Sequence, residues 1–328
     1  MTILRNNKIV VWGLGKHALD NILPAVHITK GLEIYGVFSR NKEIVKECCK
    51  QWECRSWDTI DDMLLDSNFN IVYLATPPGL HYEHGLKVLQ ANKHLWCEKP
   101  FTTNLENSQN LIDVSSQNDL SVCESFMYLY HPQFIRLKEY IDKRVLGKVK
   151  SIYCRFGLPK LENPGFRFNI QLGGSSLLDV GCYPASAISA LFPKKEVKII
   201  NSIMKKSDEN SIDIEGKAHL NLKPDINCVI EWAYNRSYRN DIDIWGEFGS
   251  IFTDKIFSKK STYKPFLEIR DLHGNPSIIE IDSQNHFELM LKSFTDSIGN
   301  SNKINQQRNR ILTQAALLDK IRYNSSII

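Results

Sequence analysis

The sequence predicts an α/β domain on a parallel sheet, followed by an α+β domain on an antiparallel sheet. Three observations carry this. Over the first 120 or so residues, short apolar runs alternate with helix-length segments, the pattern of a parallel sheet. From residue 148 the pattern changes to β-like runs separated by turn residues rather than by helices. The first apolar run leads directly into a glycine turn. The predicted domains are 1–124 and 125–328.

The strands of the first domain can be taken in order. NKIVVW begins at Asn7 and is followed by Gly13-Leu-Gly15-Lys16-His17-Ala18, a G-x-G-x-x-A turn before a helix. The glycines allow a tight turn and close approach to a pyrophosphate, and Ala18 allows close helix–strand packing. LEIYGVFSR begins at Leu32, NIVYLATPP at Asn70 and KHLWCEKP at Lys93. The candidate functional residues then fall at the carboxyl ends of strands, where open α/β sheets bind ligands. The second strand ends Phe38-Ser39-Arg40-Asn41. Sites that prefer NAD usually place Asp or Glu there, for the ribose 2′-hydroxyl. Ser39 and Arg40 instead suit a 2′-phosphate, so NADP is expected ahead of NAD.

The chain has 328 residues, 42% hydrophobic and 24% charged, with a net charge of +4. This is an ordinary globular composition. No Lys/Arg block marks a nucleic-acid patch, and no apolar run is long enough to span a bilayer, so neither partner is expected. MTILRNNKIVVWGLG lacks signal-peptide architecture. None of the eight cysteines forms a CxxC pair. A reduced, cytoplasmic protein without a structural metal is expected.

The chain resembles the Gfo/Idh/MocA family of oxidoreductases. Four segments carry the resemblance: the Gly13-Gly15-Ala18 turn, Ala75-Thr76-Pro77-Pro78-Gly79-Leu80-His81, Asn92-Lys93-His94 followed by Glu98-Lys99-Pro100, and GGSSLLDVGCYP at 173–184. ESFMYLYHPQ at 124–133 is similar to the NADP-dependent branch with dimeric dihydrodiol dehydrogenases and sugar 1-dehydrogenases. Two departures stand out. Pro78 replaces a common Asn, and Leu129 replaces a common Arg, which loosens any transfer of substrate identity. The resemblance implies a Rossmann domain followed by one large open, mostly antiparallel sheet. That sheet's free face commonly meets a second subunit, so a homodimer or homotetramer is expected. The resemblance also places the last helix against the nucleotide domain.

Read alone, Glu98-Lys99 at the end of a buried run could be a surface turn with an ion pair. The resemblance places it at the nicotinamide end of the cofactor. Hydride transfer to a carbonyl makes an alkoxide, which needs a proton donor and nearby positive charge. Lys99 supplies charge, and Tyr183 supplies a phenol whose pKa an ammonium would lower. Asp179 lies four residues earlier, one helical turn away. Lys99 and Tyr183 are therefore the expected proton-relay pair, with Asp179 supporting. Glu98 is expected on the nicotinamide ribose or carboxamide. Gly13, Gly15, Lys16, His17, Ala18, Ser39, Arg40, Thr76, Pro77 and His81 line the expected cofactor path. The loop RFGLPKLENPGFRFNIQLG at 155–173 offers Arg167 and Asn169 as substrate contacts.

The function expected is NADP-dependent oxidoreduction of a sugar, nucleotide sugar or polyol, between a secondary alcohol or hemiacetal and its carbonyl. A nucleotide-linked keto sugar suits the mild basic charge. Two alternatives stand beside it: a dinucleotide-binding regulator without turnover, and a glycosidic-bond enzyme using transient oxidation by bound NAD.

Overall fold

Strands β1 (Asn7–Trp12), β2 (Leu32–Phe38), β3 (Ile71–Leu74), β4 (His94–Glu98) and β5 (Val122–Ser125) form one parallel sheet in the order β2-β1-β3-β4-β5. The computed structural model describes residues 7–209 and 211–328. Residues 1–6, which carry part of the N-terminal reading, lie outside them. β3 is buried at every position, which is why it reads as a continuous apolar run. The helices between these strands are α1 (Leu23–Ile28), α2 (Lys42–Trp52), α3 (Ile60–Leu65), α4 (His81–Gln90) and α5 (Leu105–Gln117).

Beyond β2 the sheet carries the remnant of one more strand. Arg55 forms a single parallel bridge to Gly36, with Val37 N–H on Arg55 O at 2.9 Å and Arg55 N–H on Tyr35 O at 3.0 Å. Counting that bridge, the order across the sheet is the 3-2-1-4-5-6 order of a dinucleotide-binding domain. Chain progression reverses between β1 and β3, and the crevice outside their carboxyl ends is the ligand position for this topology.

Asn92-Lys93-His94 holds the sheet together. Asn92 takes the left-handed φ of 58° that ends the turn after α4. Lys93 is buried, with Nζ donating to Asp66 O at 2.7 Å and Phe69 O at 2.9 Å. His94 Nδ1 accepts from Ser121 N–H at the start of β5.

The residues group into two compact units. The first takes in the described residues through Phe126 together with Phe287–Ala315, and the second takes in Met127–His286 with Ala316–Ile328. In the first unit, Phe294 of α8 (His286–Thr295) meets Trp96 edge-on at 5.5 Å. Arg308 of α9 (Ser301–Tyr323) donates to Ser115 O and Leu120 O, and Ile311 joins the core against the sheet.

The second unit contains α6 (Pro132–Asp142), α7 (Cys182–Leu191) and a nine-stranded sheet. Its strands are β6 (Val149–Gly157), β7 (Val197–Lys206), β8 (Asp213–Leu222), β9 (Ile226–Ala233), β10 (Arg239–Gly246), β11 (Ser250–Asp254), β12 (Phe266–Arg270), β13 (Pro276–Glu280) and β14 (Ser325–Ile327). Their order is β13-β12-β11-β10-β6-β9-β8-β7-β14. Pairing is antiparallel except at β6–β9 and β7–β14, which are parallel. Side chains alternate: Ile152, Cys154 and Phe156 of β6 are buried, while Tyr153 on the other face is exposed.

Candidate active site

The first unit brings the expected cofactor residues together around the carboxyl ends of β1, β3 and β4. Gly13 has φ of 106°, and a Cβ there would lie 2.6 Å from the Ala75 carbonyl group, so only glycine lets the β1 turn sit on the β3 loop. Gly15 is different. It is exposed, and a Cβ there would meet nothing within 4 Å. No contact inside the protein requires a glycine at Gly15, whereas close approach of a bound pyrophosphate does. That open space fits a dinucleotide. Lys16 beside it is exposed and pairs with Asp20 at 3.4 Å. Ala18 is buried, as close helix–strand packing needs, and opens a π-helical turn (Ala18–Ile22) that runs into α1. Such turns are frequent at functional sites.

At the end of β2, Ser39 is half-buried and Arg40 is exposed, with no ion pair to Arg40 among the described residues. Asn41 caps α2 by accepting from Glu43 N–H and Ile44 N–H. No carboxylate stands at the position an NAD site would use.

Glu98 ends β4. Its Oε1 lies 3.0 Å from His17 Nε2 and accepts from Tyr73 hydroxyl at 2.5 Å. His17 Nδ1 faces the Asn21 amide nitrogen at 3.4 Å, so a neutral ring protonated on Nε2 satisfies both contacts. Burial would raise the Glu98 pKa, but His17, Tyr73 and Lys99 together hold it below the ordinary carboxylate value. Two expected cofactor residues, His17 and Glu98, are thus bonded to one another. Lys99 is half-buried beside them.

His81 is buried and bridges two loops. Its Nδ1 lies 2.8 Å from Pro100 O and its Nε2 2.7 Å from Thr76 O. A neutral ring donates to one carbonyl and an imidazolium to both. Burial pulls the His81 pKa down more than the carbonyls pull it up. His81 therefore sits between the Thr76-Pro77 loop and the residue after Lys99, donating as a neutral ring to one of the two carbonyls. His84, absent from the sequence reading, stacks on Trp12 at 4.3 Å and meets Thr76 Oγ1 at 3.2 Å.

In the second unit a π-helical turn (Leu177–Gly181) leads into α7. Asp213 of β8 fixes its start, accepting from Ser176 hydroxyl and Leu177 N–H, each at 2.7 Å. Asp179 is buried. Its Oδ2 accepts from Arg167 Nε at 2.6 Å and lies 3.1 Å from Tyr234 hydroxyl. The sequence predicts Arg167 as a substrate contact and Asp179 as a support for the Lys99–Tyr183 pair. The fold pairs them, so Asp179 holds the guanidinium of Arg167 in place. Asn169 caps a short 3-10 turn, its side-chain oxygen accepting from Gln171 N–H and Leu172 N–H. Tyr183 is buried within an aromatic cage: Phe156 edge-on at 5.1 Å, Phe257 at 5.5 Å and Tyr128 at 6.0 Å. Its hydroxyl lies 3.9 Å from Met127 Sδ. Tyr234 directly follows β9 and its apolar run, and nothing local in the sequence distinguishes it from core. Burial and then Asp179 push its phenol well above the ordinary value.

No group of three or more His, Cys, Asp or Glu side chains suited to a metal occurs among the described residues. No helix among them is long and apolar enough to cross a membrane.

Residues 7–126 match the family model described as the GFO/IDH/MocA oxidoreductase family with NAD-binding Rossmann fold, and residues 134–252 match its C-terminal domain. A dTDP-3,4-didehydro-2,6-dideoxy-alpha-D-glucose 3-reductase from Actinomadura kijaniata is 24% identical over 316 residues, covering 96% of this chain and 94% of that one. An NADP(+)-dependent scyllo-inositol 2-dehydrogenase from Bacillus subtilis is 25% identical over 325 residues, covering 94% of each chain. Among solved structures, a 3-ketoreductase from Actinomadura kijaniata in complex with NADP and TDP-benzene superposes with a TM-score of 0.93. It is 23% identical and covers 98% of both chains. That enzyme has also been solved with one lysine replaced by Ala or Glu and one tyrosine replaced by Phe.

Proposed function

The chain belongs to the GFO/IDH/MocA oxidoreductase family, and from that premise we propose that it is an NADPH-dependent reductase of a keto sugar carried on a nucleoside diphosphate. The observation that carries the substrate class is the run of dTDP-keto-sugar 3-reductases matched along nearly the whole chain, 96% of it in one case and 99% in another. The net charge of +4 suits a diphosphate substrate.

For the cofactor, Gly15 leaves the clearance a pyrophosphate needs, and Ser39 and Arg40 offer a hydroxyl and a cation to a 2′-phosphate. When bound, NADPH supplies the hydride. The chain's own residues then have three tasks. Glu98, held by His17 and Tyr73, presents a carboxylate to the nicotinamide ribose or carboxamide. Lys99 and Tyr183 share delivery of a proton to the sugar oxygen, which becomes an alkoxide as hydride arrives. Asp179 fixes Arg167, whose remaining N–H groups are suited to a substrate oxygen or phosphate. The lysine and tyrosine replaced in the 3-ketoreductase are 84 positions apart, as are Lys99 and Tyr183. That spacing supports the assignment.

The test is NADPH oxidation with a dTDP-linked 3-keto sugar, alongside free xylose and inositol with NADP. Turnover of the nucleotide sugar, abolished in Lys99→Ala and reduced on the order of a hundredfold in Tyr183→Phe, is the expected result. Turnover of free sugars alone would replace this reading with a sugar dehydrogenase. Tight NADPH binding without any turnover would favour the regulator.

A further inference from the structure

Glu124, in β5, is a buried acid that the proposed reaction leaves without a task. Its Oε1 accepts from Phe101 N–H at 2.8 Å, and its Oε2 is buried with no hydrogen-bond partner. Phe101 follows Lys99 by two residues. The residue between them, Pro100, is held through its carbonyl by His81 at 2.8 Å. The backbone just after Lys99 is thus pinned at consecutive residues, by His81 from α4 and by Glu124 from β5. The other nitrogen of the His81 ring lies 2.7 Å from Thr76 O, so the same ring packs against the cofactor path.

We propose that Glu124 is a positioning residue for Lys99, acting as an uncharged carboxylic acid that fixes the Phe101 amide. This rests on the reading of Lys99 as a proton-relay residue.

The surroundings favour the uncharged form. A carboxylate with one oxygen sealed from water and unpartnered is costly, and the neutral acid is much less so. The charged and titratable groups facing Glu124 are Lys99, Glu98 and the Cys97 thiol from the β4 side, and Arg310 from α9. The Phe101 N–H, Arg310 and Lys99 favour the carboxylate, and Glu98 opposes it. Burial outweighs them, and the Glu124 pKa rises to about 8. Near neutral pH the acid is protonated and the clamp is in place. Ionisation above about pH 8 keeps the Phe101 N–H bond but puts charge on the sealed, unpartnered oxygen, and the expected consequence is a shift of the segment that carries Lys99.

The experiment compares wild type, Glu124→Gln, Glu124→Ala and Lys99→Ala for kcat and KM across roughly pH 6 to 9.5, with NADPH titration to count folded sites. In Glu124→Ala, kcat falls about tenfold or more while the sugar KM moves less than about threefold, because binding survives and the proton donor is misplaced. Glu124→Gln, an uncharged isostere, keeps kcat within about twofold near pH 7 and loses the wild-type decline above about pH 8. An unchanged alkaline decline in Glu124→Gln overturns the inference, even if Glu124→Ala fails to fold. So does a wild-type kcat in Glu124→Ala. Full activity in Lys99→Ala would instead remove the Lys99 reading on which the inference rests.

Discussion

Tyr73 has one proton and two partners. It donates to Glu98 Oε1 at 2.5 Å, and its oxygen lies 2.9 Å from Ser125 Oγ, which can donate to it. The ring is fully buried in β3, so neither contact is replaced by water if the hydroxyl is removed. Tyr73→Phe therefore leaves Glu98 and Ser125 each short of a bond and costs about 1–3 kcal/mol, readable by urea denaturation. The pH dependence has a definite sign. Because the folded Glu98 pKa is depressed, its stabilising contribution is present above the ordinary carboxylate range and is lost as pH falls through the folded value. Removing the Tyr73 bond raises that folded value. The acid loss of stability is then smaller in Tyr73→Phe and is complete at a higher pH than in wild type, and unchanged acid limbs would refute the assignment. Tyr73 and Glu124 were not legible as site residues. Each sits in a buried run, IVYL or VCES, that reads as core. What gives them a role is which polar atom the strand pleat aims at the β4 end, and local sequence does not state that. Gly13 and Gly15 were legible because their spacing after the first apolar run is itself the constraint, whereas Lys99 read alone fits a surface turn and becomes a site candidate only through the family resemblance.

At the scale of elements, α2 begins where the 2′-phosphate reading ends. Asn41 caps its first turn through two backbone N–H groups at 3.1 and 3.3 Å and follows Arg40 directly. Asn41→Ala removes the cap and costs about 1 kcal/mol. It also frees the Ser39-Arg40 turn, so NADPH affinity falls by about fivefold while NADH affinity moves little. Fluorescence titration with both cofactors checks this, and equal losses would separate the turn from 2′-phosphate recognition. Element existence was legible throughout the first unit, where apolar runs and helical segments alternate. Pairing was less so. β6 and β9 run parallel although turn-spaced strands suggest an antiparallel sheet. The partners are separated by α7, β7 and β8, and no local pattern encodes which distant strand a central strand accepts. The single-residue bridge at Arg55 was equally invisible, since one extended residue has no periodicity.

At the scale of the whole molecule, the nine-stranded sheet of the second unit exposes aromatic residues on one of its faces. Register places Tyr153 opposite Asp243, Asp243 opposite Phe252, and Trp245 opposite Ser151 and Ser250, so these residues share that face. Trp245 is 67% exposed, Tyr153 46% and Ile278 58%. Apolar side chains at this exposure, interleaved with Asp243, Glu268 and Arg270, match the make-up of an interface core ringed by charge rather than a solvated sheet. We propose that a second copy of this chain covers it, in a two-fold arrangement where the same patch meets itself. A stable dimer of this kind buries on the order of 1,600 Å² in total, which a nine-stranded face can supply. Trp245→Glu with Tyr153→Lys places charges at the centre of that patch and touches none of the residues assigned to cofactor or substrate. In sedimentation velocity the wild type is expected as a dimer at micromolar concentration and the double variant as a monomer that still binds NADPH. A wild type that sediments as a monomer, or a double variant that stays dimeric, would place the subunit contact elsewhere or remove it.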